Sequence, residues 1–126
     1  MRDTVVIDTD TLPSGAAYAV ARVTPLARDA LGEPFVILLD LPAGEVVPPH
    51  TAPSGIRLVT VQRGAVHWGD GETVDPARER VFPQGTIFTI RAGDCHWLAA
   101  RDGDVRLQLV VMANDAPVPG IQEQLT

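Results

Sequence analysis

The chain has 126 residues, 45% hydrophobic and 21% charged, the size and balance of one globular domain rather than a disordered or fibrous chain. Its net charge is −6, with no lysine, no stripe of arginines and Cys95 as the only cysteine. That excludes Schiff-base and P-loop chemistry, an intrachain disulfide and cysteine-rich zinc motifs, and it argues against a nucleic-acid surface. No run approaches the ~20 apolar residues of a spanning helix, and the first residues open no secretory signal. The expectation is a soluble, cytoplasmic protein with neither nucleic acid nor membrane as a partner.

Eleven glycines and eleven prolines interrupt the chain too often for long helices. The runs between them are short and rich in Val, Ile, Leu and Thr, the pattern of an all-β domain. Residues 4–8, 18–24 and 35–41 read as the first strands, with Pro13-Ser14-Gly15 dividing the first from the second. Strands follow at 45–50, 56–62 and 65–68, and then, beyond a charged excursion at 75–80 expected as a solvated loop, at 80–82, 86–90, 95–100 and 105–112. Asp70-Gly71 and Asp102-Gly103 carry the positive-φ chemistry of tight hairpins. The last strand sets Val105, Leu107, Leu109 and Val111 on one apolar face, against Arg106, Gln108, Val110 and Met112 on a mixed one. Residues 117–126 form a short tail. No repeat or linker divides the chain, so residues 1–126 are expected as one sandwich or small barrel.

Two glycine–histidine blocks stand out: Gly44, His50 and Gly64, then Gly85, Gly93 and His96. Their spacing resembles the two motifs of the cupin superfamily: glycine, five residues, His-x-His, then a glutamate and a turn glycine; and glycine, five residues, Pro-x-Gly, two residues, histidine. The resemblance covers residues 41–112, with residues 1–40 supplying N-terminal strands. It implies a jelly-roll β-barrel, commonly a homodimer, with a site inside the barrel. The second histidine of His-x-His falls on Ala52 and the glutamate on Arg57. Arg91 replaces the proline, and Ala100 an asparagine beyond the second motif. Of the usual metal ligands, His50 and His96 remain.

Two imidazoles hold a divalent ion weakly, since a catalytic zinc or iron site normally has three protein ligands. A guanidinium ~4 Å away at an effective dielectric of about 20 repels each unit of metal charge by roughly 4 kcal/mol. The expectation is therefore no tightly bound cofactor, with weak zinc, nickel, manganese or iron binding at His50 and His96 as the alternative and His67 or Gln108 as a substitute ligand. In the metal-free reading His50 and His96 exchange protons with a ligand, and Arg57 clamps a carboxylate, enolate or phosphate oxygen. Val59, Val61, Phe88, Leu98, Val110 and Met112 would line the barrel, joined by His67, Trp68 and Gln108 as ligand contacts. Cyclisation, isomerisation, dehydration or decarboxylation of a hydrophobic, partly anionic metabolite suits these residues, and small cupins acting on polyketide-like intermediates look similar. A metal-dependent oxygenase or hydrolase and a non-catalytic binding module are the other readings. Trp97 and Trp68 are also candidates for core or dimer interface. Cys95 is expected to be a buried apolar residue facing away from His96.

Overall fold

The structure, a computed structural model, describes residues 3–113. Ten strands form two antiparallel sheets. They are β1 (Gly15–Ala17), β2 (Ala21–Arg28), β3 (Pro34–Leu41), β4 (Val46–His50), β5 (Ile56–Arg63), β6 (Val66–Asp70), β7 (Arg80–Phe82), β8 (Ile87–Arg91), β9 (His96–Ala99) and β10 (Val105–Met112). The six-stranded sheet runs β1-β2-β3-β10-β5-β8 and the four-stranded sheet β4-β9-β6-β7. The chain passes repeatedly from one sheet to the other, which is jelly-roll connectivity. Among the described residues no helix is long and apolar enough to cross a membrane.

Alternation along the strands builds the core between the sheets. Val59 and Val61 of β5, Leu39 and Leu41 of β3, Val105 and Leu107 of β10, and Trp68 and Leu98 of the smaller sheet are buried there. Gly69 of β6 faces outward directly opposite Trp97 of β9. A methyl group on Gly69 would fall on the Trp97 ring, so the indole lies flat against bare backbone.

The N-terminal region departs from expectation. Residues 4–8 are not a strand: Val5 and Val6 are more than four-fifths exposed, so this segment has β-prone composition but no strand to pair with among the described residues. The expected strand at 18–24 starts later, because Tyr18 and Ala19 take positive φ values of 54° and 65° in the loop joining β1 to β2. Gly71 and Gly103 do adopt positive φ, yet neither closes a tight hairpin. β9 and β10 lie in different sheets, so Asp102-Gly103 turns an arch between layers, and residues 71–79 separate β6 from β7. Cys95 precedes β9 and is half-buried, since the strand begins one residue later than expected. The tail at 117–126 lies outside the described residues.

Candidate functional site

The two motif histidines meet because β4 pairs with β9 in a register that sets His50 directly across from His96. Their ring centroids are 4.4 Å apart, nearly edge to face. His96 stacks on Trp68 at 4.8 Å, and Tyr18 lies over His50 at 4.3 Å. Four rings thus run from the barrel interior to its mouth: Trp68, His96, His50, Tyr18. They border a cavity of about 130 Å³, walled on its apolar side by Val59, Ile90, Leu98, Leu107 and Leu109, with Arg57 and Thr51 also on its lining.

Hydrogen bonding fixes the tautomers. His50 Nδ1 lies 2.8 Å from the Pro48 carbonyl and His96 Nδ1 lies 3.2 Å from the Asp94 carbonyl. A carbonyl only accepts, so each Nδ1 donates and each neutral ring keeps its lone pair on Nε2. Among the described residues no buried side-chain nitrogen or oxygen lacks a partner. The Nε2 of His96, which bonds no group among these residues, therefore opens on the cavity that His96 lines. Burial, reinforced by nearby His50 and Arg57 and only partly offset by the Asp94 carbonyl and Asp70, lowers the pKa of His96 from 6.5 to about 4. At neutral pH it is an uncharged proton acceptor.

Arg57 faces the cavity because β5 alternates Arg57, Val59 and Val61 inward. It donates through Nη1 to the Ser54 carbonyl at 2.8 Å. No carboxylate pairs with it among the described residues. A half-buried cation among apolar walls, with no protein counter-ion, is a place for an anionic ligand.

The structure gathers His50, His96, Arg57, Val59, Trp68 and Leu98 around this cavity and leaves the other candidates elsewhere. Gln108, Val110 and Met112 lie on the opposite face of β10, because the wholly apolar face with Leu107 and Leu109 takes the core; Gln108 instead accepts from Gln62 at 3.2 Å. Val61 is fully buried in the core and Phe88 packs edge-on against Trp68 at 4.7 Å; both point inward without reaching the cavity. His67 faces the other side of its sheet. Its Nε2 is 2.9 Å from Asp102, and its Nδ1 is 3.7 Å from Glu79. Glu79 also receives Arg101 and the Trp97 indole N–H at 2.8 Å. The excursion at 75–80 is thus not wholly solvated: its Glu79 carboxylate is 2% exposed. Sequence reasoning missed Tyr18, for which Tyr-Ala-Val carries no turn signal. It also missed Leu107, Leu109 and Ile90, which strand alternation could have supplied.

No family model and no curated relative matches the sequence. Solved structures do. Hydroxypropylphosphonic acid epoxidase from S. wedmorenis, in complex with fosfomycin, aligns with a TM-score of 0.69 at 16% identity over 86% of this chain and 59% of that one. The present chain thus spans less than two thirds of that protein's length. A predicted oxalate decarboxylase from Thermotoga maritima aligns at TM-score 0.64 and 12% identity, covering 86% of this chain and all of the other. A cupin 2 conserved barrel domain protein from Leptotrichia buccalis aligns at 0.59 and 18%, covering 78% of this chain and 43% of that one. At such identities the likeness establishes architecture: the chain has the cupin fold.

A structure of the FeII form of HppE is among these neighbours, so the donor set bears on whether iron or a similar ion fits here. His50 and His96 offer two free Nε2 atoms, but no third histidine, cysteine or carboxylate joins them among the described residues. Ala52 and Arg57 both line the same cavity, the first without a donor and the second with a permanent positive charge. These residues do not fit a three-ligand metal centre.

Proposed function

We propose that the protein is a metal-independent enzyme acting on a small molecule inside the cupin barrel. In this reading it carries out acid–base chemistry (a cyclisation, isomerisation, dehydration or decarboxylation) on an apolar ligand with an anionic group. The observation that carries the reading is the pairing, around one cavity, of an uncharged His96 acceptor with an arginine that no carboxylate among the described residues neutralises. Arg57 holds the ligand's anionic oxygen and the negative charge that develops as a proton leaves. His96 takes the proton on Nε2 and returns the same proton at another atom of the ligand, while His50, a ring away, offers a second Nε2 acceptor toward the cavity.

A base with a pKa of about 4 is weak at neutral pH, and the ligand itself corrects this. Burial dominates the depression, but Arg57 contributes to it. An anionic ligand compensates that charge and sets a negative group near the imidazole, raising its proton affinity on binding. The apolar walls exclude water from the reacting atoms. Step by step, the anionic group is held first, the proton moves to His96, and the ligand's charge is stabilised until a proton is returned.

His96→Ala and His50→Ala are expected to lower turnover by roughly 10²–10⁴, while Arg57→Leu weakens substrate binding by about 1.5–3 kcal/mol. Chelators leave the activity intact. One equivalent of zinc, nickel, manganese or iron that survives dialysis and supports turnover would overturn the metal-free reading. Ligand-induced stabilisation with no turnover on any such metabolite would make the protein a binding module instead.

The proposal extends to a cytoplasmic homodimer serving natural-product biosynthesis. Val5, Val6 and Ile7 are 84%, 88% and 55% exposed, and such a row of β-prone apolar residues suits pairing with a second copy. Light scattering at moderate concentration checks this part: a monomeric mass counts against it.

A further inference from the structure

Tyr18 belongs to neither motif, yet backbone conformation delivers it to the site. Tyr18 and Ala19 both sit in the left-handed region, at φ 54° and 65°, where residues with a Cβ are disfavoured. No glycine relieves this. The loop thereby turns the Tyr18 ring over His50 at a centroid distance of 4.3 Å, onto the same lining as Arg57.

The phenol is half exposed, and its hydroxyl bonds no other group among the described residues. Partial burial raises its pKa, against a smaller opposing pull from Arg57, so the hydroxyl stays protonated and is a donor at neutral pH. Arg57 commits one N–H to the Ser54 carbonyl and keeps its remaining N–H groups free of protein carboxylates. Two unspent donors, one neutral and one cationic, therefore share the cavity with apolar walls formed by Val59, Leu98, Leu107 and Leu109.

We infer that Tyr18 and Arg57 form a two-point clamp for a carboxylate, so that the site takes a small monocarboxylate whose apolar body lies against those walls, beside His96. The inference rests on the cavity reading proposed above and specifies its ligand class and the way that ligand is held. A carboxylate has two oxygens and accepts from both donors at once, whereas a neutral amide presents one. The volume of about 130 Å³ restricts the body to a short acyl or single-ring group.

The test is calorimetric titration at pH 7 with benzoate and with its neutral isostere benzamide. Benzoate is expected to bind at least ten-fold more tightly than benzamide. Tyr18→Phe keeps the ring over His50 and removes the hydroxyl alone: it weakens benzoate about five- to twenty-fold and leaves benzamide within two-fold. Arg57→Leu erases the preference. Equal affinity for the two probes in the unaltered protein, binding of neither, or benzoate affinity untouched by Tyr18→Phe each overturns the clamp. The acid–base reading fails separately. Preferential benzoate binding that depends on Tyr18, in a protein whose turnover needs an added metal, keeps the clamp and removes the metal-free mechanism.

Discussion

The four-stranded sheet carries a histidine cluster on each face, and the two differ in how completely their polar groups are used. On the outer face His67, Asp102, Glu79, Arg101 and the Trp97 indole N–H bond one another. On the inner face His50 and His96 spend only Nδ1, on backbone carbonyls, while beside them Arg57 of β5 and Tyr18 of the loop joining β1 to β2 retain donors with no partner among the described residues. Both places hold histidine, arginine and tryptophan, but only the outer network includes carboxylates. A network whose groups are spent mainly on one another serves as scaffold, whereas an open set of donors and acceptors beside a cavity is a binding site.

The comparison can be broken first through acid stability. Unfolded His96 takes up a proton as pH falls through 6.5, and the folded residue resists until about pH 4. The unfolded state thus binds more protons across that window. Stability contributed by neutral His96 is present above pH 6.5, is lost as pH falls, and levels off below about 4. The interval corresponds to about 3 kcal/mol at about 1.4 kcal/mol per pH unit. Denaturant unfolding at pH 7.5 and pH 4.5 should show His96→Gln losing less stability than the parent by about that amount. Equal losses would mean that the inner face is as wet as the outer.

Next in size is the outer network. Removing the carboxylate in Glu79→Ala leaves the buried Trp97 indole N–H without its acceptor and frees Arg101 to solvent, a loss of about 2 kcal/mol in chemical denaturation. Glu79 is held below the usual carboxylate range chiefly by its hydrogen bond from Arg101. Its contribution is thus present at neutral pH and lost as acid protonates the folded carboxylate, a sign that Glu79→Gln should reveal as a flatter acid limb.

The smallest effect is expected at Arg57. Arg57→Leu replaces a half-buried cation that has no ion-pair partner among the described residues, so folding stability should change by less than about 1 kcal/mol, and upward. A thermal melt decides it. A loss as large as that of Glu79→Ala would make Arg57 part of the scaffold and not a ligand clamp.

Most strands were legible in the sequence because short Val/Ile/Leu/Thr runs between glycines and prolines leave little choice. β3, β5, β8 and β10 fall within one or two residues of their expected bounds. The motif spacing likewise points to His50 and His96, which only the β4–β9 register makes neighbours. What was not legible depends on choices that local sequence leaves open. The phase of β10 is the exception: its wholly apolar face already marks Leu107 and Leu109 as inward, so the inward placement of Val110 and Met112 ran against a legible pattern. Tyr18 follows from a loop whose residues favour no turn. The pairing of Glu79 with Trp97 joins a charged excursion to a strand at a distance no periodicity records. Residues 4–8 have the composition of a strand, but composition supplies no neighbour.

The contact between Gly69 and Trp97 also constrains how this chain can vary over descent. Any side chain at position 69 collides with the indole, so a larger residue there becomes acceptable only after Trp97 has given way to something smaller. Losing Trp97 in turn removes the indole donor from Glu79, which changes what is tolerated at positions 79 and 101. In sequences that share this fold and retain tryptophan at the position of Trp97, the position of Gly69 should be glycine, and departures should arise in that order. Ancestral variants that carry the smaller residue at 97 beside an unchanged Gly69 are the intermediates this history requires.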